Sequence, residues 1–144
     1  MHKVLDLDLD FFGCPPLHYQ EGEMERPTES EFRHLAHETE VRSFLERQCH
    51  LNRSTRIPGR EFVEHIDAFH TWKQWIQEGR LIAPFNVVHV DGHSDLGAGI
   101  GLTCHYIETE LLALPLPERS APRLNEHDGI TSANYLVAAM LISG

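Results

Sequence analysis

Asp91, His93 and Asp95 recur at every second residue in the run Asn86-Val87-Val88-His89-Val90-Asp91-Gly92-His93-Ser94-Asp95-Leu96. While a backbone stays extended, alternate side chains leave from one face, so this spacing aims two carboxylates and an imidazole at one place. At the edge of an apolar core such a group is costly unless a cation neutralises the carboxylates and takes the imidazole lone pair. Metal binding is therefore the chemistry read here. The plainer alternative is that Asp91 and Asp95 close turns and His93 is a solvated loop histidine.

A second run opens the chain. From Lys3 onward Leu5, Leu7 and Leu9 alternate with Asp6, Asp8 and Asp10, and Phe11 and Phe12 follow. Strict alternation is the period of a strand. Three carboxylates in one row repel one another, and two phenylalanines argue that the strand's end is buried. Asp8 and Asp10, nearer the carboxyl end, are read as metal ligands and Asp6 as structural. A solvated edge strand would explain the same alternation without any function.

These two motifs carry a resemblance. Asp91-x-His93-x-Asp95 resembles the Asp-x-His-x-Asp motif of the ureohydrolase superfamily, which includes arginases, agmatinases and, more distantly, histone-deacetylase-like amidohydrolases. Leu7-Asp8-Leu9-Asp10-Phe11-Phe12 resembles its Asp-x-Asp motif, which in arginases follows the first motif and here precedes it. That permuted order is similar to the peptide arginase family, whose members convert arginine side chains within a peptide to ornithine. His65, in Phe62-Val63-Glu64-His65, matches the ligand histidine that the superfamily carries on a separate loop.

The resemblance implies a three-layer α/β/α fold with a mainly parallel sheet, of which this chain would be an incomplete, amino-terminal portion. It implies two Mn(II) ions bridged by Asp8 and Asp91, with His65 and Asp95 completing one and His93 and Asp10 the other. Asp91 and His93 would then act in catalysis through a metal-bound hydroxide that attacks the guanidinium carbon, releasing urea and leaving ornithine. A ligand set of carboxylates and imidazoles suits a hard, nearly octahedral ion, with Mg(II), Fe(II) and Zn(II) ranked behind Mn(II). Gly129-Ile130-Thr131-Ser132-Ala133-Asn134-Tyr135 resembles the Ser-Gly-Asn run with which arginases hold the amino-acid end of the substrate, which would give Ser132 and Asn134 to substrate binding. Thr131 or Ser132 as a helix cap explains those residues equally well. The histidine that follows that run in arginases is Leu136 here, which leaves the proton shuttle unassigned.

The elements that must position these residues follow from the pattern around them. Val87, Val88 and Val90 predict a central strand covered on both faces. The amino-terminal strand spans Lys3 to Leu9, and a proline-rich loop runs from Gly13 to about Pro27. Thr28-Glu29-Ser30-Glu31 has the form of a capping box, predicting a helix that breaks near Thr39 and resumes to about Leu51, with His34 and His37 as solvated helix residues. Ile66, Phe69, Trp72, Trp75 and Ile76 recur at three and four residues, an amphipathic helix from His65 to Gly79. Cys104 to Leu114 predicts a further helix stopped by Pro115 and Pro117, and the apolar run Tyr135 to Ile142 a terminal core helix.

The 144 residues suit one domain, and their net charge of -10 counts against a nucleic-acid partner while favouring a basic substrate or a cation. An arginine-containing peptide or a small guanidinium compound fits that charge. Self-association into a homo-oligomer is left open. Cys14, Cys49 and Cys104 are odd in number and unclustered, as expected of reduced thiols in a cytoplasmic protein. The longest apolar stretch is too short to cross a bilayer, so no membrane partner is expected. Two other classes remain beside the hydrolase. An Asp-x-Asp closing a first strand also resembles haloacid-dehalogenase phosphatases, although Phe11 and Phe12 stand where that family has a small residue and a threonine. A non-catalytic metal-binding or degenerate module would retain the ligands alone.

Overall fold

Two strands lead into the Asp-x-Asp and Asp-x-His-x-Asp motifs, and they lie side by side. β1 (Lys3–Leu7) and β4 (Asn86–Val90) form a short parallel pair in the computed structural model, which describes residues 1–14, 34–54, 57–97, 104–115, 118–119 and 130–143. The Asn86 N–H donates to the His2 carbonyl at 3.0 Å, and the Asp8 N–H to the Val90 carbonyl at 2.8 Å. With helices accompanying this pair, the described residues are of the α/β class. None of their helices is long and apolar enough to cross a membrane.

The described residues group into two compact units. The first takes Met1–Asp6, Glu61–Val88 and Ser94–Gly144 and holds the apolar core. Its centre is α2 (Ile66–Gln77), where Ala68, Phe69 and Trp72 are buried and Trp75 and Ile76 pack beside them. The three-and-four spacing read in the sequence puts these side chains on one stripe, and burying each large apolar group contributes about 1.5–3 kcal/mol. α4 (Tyr135–Ser143) packs Tyr135, Leu136, Ala138 and Ala139 into the same core. Small residues at 138 and 139 leave room there for the Tyr135 and Trp72 rings, whose centroids are 5.9 Å apart. Leu111 and Ile130 complete the cluster.

The second unit takes Leu7–Arg60 and His89–His93. Here α1 (Glu38–Arg47) begins at a capping box in which the His37 side chain accepts the Thr39 N–H and the Glu40 carboxylate accepts the His37 N–H at 2.7 Å. Phe44 of α1 meets Phe11 and Phe12, with ring centroids 5.2–5.4 Å apart among the three. Short strands β2 (Gly13–Cys14) and β3 (His34–Leu35) pair antiparallel, Gly13 opposite Leu35.

Several expectations change. β1 stops at Leu7 rather than Leu9, because Asp8 accepts the Asp10 N–H at 3.2 Å and caps a 3-10 turn over Leu9–Phe12. A short side-chain acceptor competes with the strand ladder at that position. β4 is covered on one face only among the described residues: Val87 packs on the core whereas Val88 is 52% exposed. On β1 it is Val4 that packs there, and Asp6, two residues on, accepts the Tyr135 hydroxyl. His34 lies in β3 and His37 caps α1, so neither is inside a helix. The segment from Cys104 begins as one α turn, α3 (Cys104–Tyr106), and widens to a π turn over Ile107–Leu111. The helix start read at Thr28 and most of the proline-rich loop lie outside the described residues.

Candidate metal centre

The chain reverses at the carboxyl ends of both strands through aspartate-closed turns, and these turns set the ligands. After β4, Asp91 Oδ1 accepts the His93 N–H at 2.6 Å, an Asx turn. Asp95 adopts φ +48°, a left-handed conformation that aspartate tolerates better than most residues. The three residues of Asp91-x-His93-x-Asp95 are therefore placed by turns, and the extended alternation expected for them ends at Val90.

In the second unit Asp10, Asp91 and His93 converge, with one ligand atom from each lying within 4.8 Å of the others. His93 Nδ1 stands 2.8 Å from Asp10 Oδ2 and 3.3 Å from Asp91 Oδ1. Asp10 also accepts the Gly92 N–H through Oδ1 at 3.0 Å, which pins the Asp-x-Asp motif to the turn after β4. The Asp91 side chain is wholly shielded, and those of Asp10 and His93 are 22% and 28% exposed. Adjacent ligand atoms around a small octahedral dication at about 2.1 Å are about 3.0 Å apart. The two His93 distances lie on either side of that value, and the three residues could hold a metal ion. The donor set has two carboxylates, one imidazole and no thiolate, the chemistry of a hard or borderline cation.

In the first unit His65, just before α2, is joined to Asp95: Nδ1 lies 2.7 Å from Oδ2. The Asp95 side chain is 9% exposed and that of His65 32%. The Tyr135 ring meets the His65 ring nearly edge-on, centroids 5.9 Å apart, and its hydroxyl donates to Asp6 Oδ2. Asp8, the remaining expected ligand, caps the 3-10 turn of the second unit. Of the two residues read as substrate contacts, Ser132 is half-buried, with its Oγ 3.5 Å from Glu64 Oε2. Asn134 is fully buried, and its Oδ1 accepts the Thr131 N–H at 2.7 Å, closing the turn ahead of α4.

Two residues of these clusters went unmarked in the sequence. His89 puts Nε2 3.3 Å from Asp91 Oδ2. Its signal was there, an imidazole in the strand two residues before a candidate ligand. Tyr135 reads in the sequence only as a core aromatic, and no local pattern pairs it with Asp6.

In comparisons with protein-family models, with curated proteins and with solved structures, nothing matches the chain.

Proposed function

We propose that this chain belongs to a metal-dependent hydrolase of the ureohydrolase type, with an arginase-like three-layer fold, acting on the guanidinium of arginine, within a peptide or as a small molecule. The observation that carries this reading is the convergence of Asp10, Asp91 and His93, two of them from one motif and one from the other. Motifs that resemble the superfamily's metal ligands contribute to one donor set, and that set has the right chemistry for a Mn(II)-type ion. The resemblance gives His65 and Asp95 to a second ion.

Bound divalent ions supply a lowered pKa for water, so that it can attack the guanidinium carbon at neutral pH. The chain's own residues hold the charge. Asp10 and Asp91 contribute the two carboxylates of the triad, and His93 adds a neutral donor between them. The burial of Asp91 keeps its carboxylate out of competition with solvent, which strengthens its attraction for a cation. The acidic balance of the whole chain favours a cationic guanidinium as substrate.

Elemental analysis of the purified chain and of Asp91→Ala and Asp6→Asn tests the metal step. Asp91→Ala should lose bound Mn(II) and Asp6→Asn should retain it, and equal content in both variants would refute the site. Activity is then tested by urea release from an arginine-containing peptide, with the product peptide weighed for conversion to ornithine. A lysine peptide, lacking an electrophilic carbon, should give none. Metal binding without urea release from either an arginine peptide or free arginine would leave the non-catalytic module as the better reading. Magnesium-dependent release of phosphate from an aryl phosphate would point to the phosphatase.

A further inference from the structure

We infer that His89 is a positioning residue for Asp91: its imidazole fixes one carboxylate oxygen so that the other is presented for the metal. This rests on the metal-binding reading above. His89 lies on β4 and Asp91 just past its end at Val90, so the strand does not by itself fix the Asp91 side chain. Rotation about the terminal bond of an aspartate is soft, so a carboxylate held at one oxygen alone samples a broad range. Here each oxygen has an imidazole close by. Oδ1 accepts the His93 N–H at 2.6 Å and lies 3.3 Å from His93 Nδ1. Oδ2 lies 3.3 Å from His89 Nε2, a close charge contact rather than an aligned hydrogen bond, and both of these atoms are shut off from solvent.

The division of labour follows from that geometry. Oδ1 shares the space that His93 Nδ1 and Asp10 Oδ2 line, the place where an ion would be held. Oδ2 points back along β4 to a ring only 17% exposed. A buried carboxylate with both oxygens directed costs less conformational entropy on binding a cation, because its orientation is already set. Partners of this kind, standing behind a ligand, tune affinity without touching the ion.

The test uses the whole chain and Mn(II), with free ion followed by its electron paramagnetic resonance signal. His89→Phe keeps the ring volume and deletes the nitrogens; His89→Gln places an amide nitrogen near the position of Nε2. His89→Phe should weaken Mn(II) binding about 10- to 100-fold and His89→Gln should bind within about threefold of the parent, the scale expected for a partner behind a ligand. Melting of the metal-free chain, measured in parallel, should be similar for the two variants, separating loss of positioning from loss of fold. His89→Phe binding as tightly as the parent would overturn the inference, and so would His89→Gln failing as badly as His89→Phe. Loss of one coordinated imidazole nitrogen from the electron spin echo modulation in His89→Gln would make His89 a ligand and also overturn it. A parent chain with no affinity for Mn(II) would overturn the metal reading first, and this inference with it.

Discussion

Deleting one hydroxyl from the core of the first unit, Tyr135→Phe, should destabilise the protein while leaving its metal ligands in place. Tyr135 is 2% exposed, and its hydroxyl donates to the Asp6 carboxylate from the other end of the sequence. Hydrogen bonds to a charged group contribute about 1.5–3 kcal/mol, against about 1 for a neutral pair. Phenylalanine keeps the ring against His65 and Trp72, so no cavity term is added and the loss should stay within about 1.5–3 kcal/mol. Urea unfolding of the parent, Tyr135→Phe, Asp6→Ala and the double variant forms a cycle that isolates the pair. Residues in direct contact typically couple by 0.5–3 kcal/mol, and about 1–2 is expected here. A coupling energy under about 0.5 kcal/mol, the error expected of independent sites, would refute the claim that this bond ties β1 to α4. So would Tyr135→Phe matching the parent in stability.

Two further outcomes are open to direct measurement. Mn(II) at about a hundred times its dissociation constant should stabilise the parent chain by about 2.7 kcal/mol, and chelation should remove this; Asp91→Ala should melt at the same temperature with and without the ion. Gly79 follows α2 with φ +69° and a Cβ there would meet nothing within 4 Å, so Gly79→Ala should cost only the left-handed strain, about 1 kcal/mol, read from a shift in the urea midpoint.

Local pattern was enough to place α2. The stripe of Ile66, Phe69, Trp72, Trp75 and Ile76 is a property of spacing alone, and it packs as spacing dictates. Pattern also placed the strand of β4 and the apolar α4, although Val88 is exposed where the valine run led to the expectation of cover on both faces. Boundaries were less legible where aspartate intervenes. Asp8 and Asp91 satisfy a strand's alternation and a turn's side-chain bond equally well as residue types, and the turn won at both places because each carboxylate found an N–H two residues on. The capping of α1 by His37 was similarly hidden, since histidine is an uncommon cap and Glu40 only completes the box once His37 is non-helical.

As a list of residue types, the sequence by itself determined that carboxylates and imidazoles cluster in two short runs, that the chain is strongly acidic, and that no cysteine cluster competes for a metal. Only the tertiary structure decided which of them meet. Asp10 reaches the Gly92 N–H and the His93 ring across 82 residues because β1 and β4 are parallel neighbours, and strand order is not a local property. Asp6 and Tyr135, 129 residues apart, pair for a related reason: packing of α4 in the core brings a phenol to the core face of β1. His89 gains its meaning the same way. As a residue in a valine-rich strand it is unremarked, and it becomes the partner of Asp91 once the end of β4 fixes where that carboxylate turns. Residue chemistry sets what a site can bind; long-range pairing, whose entropy cost no local preference can offset, sets whether the site exists.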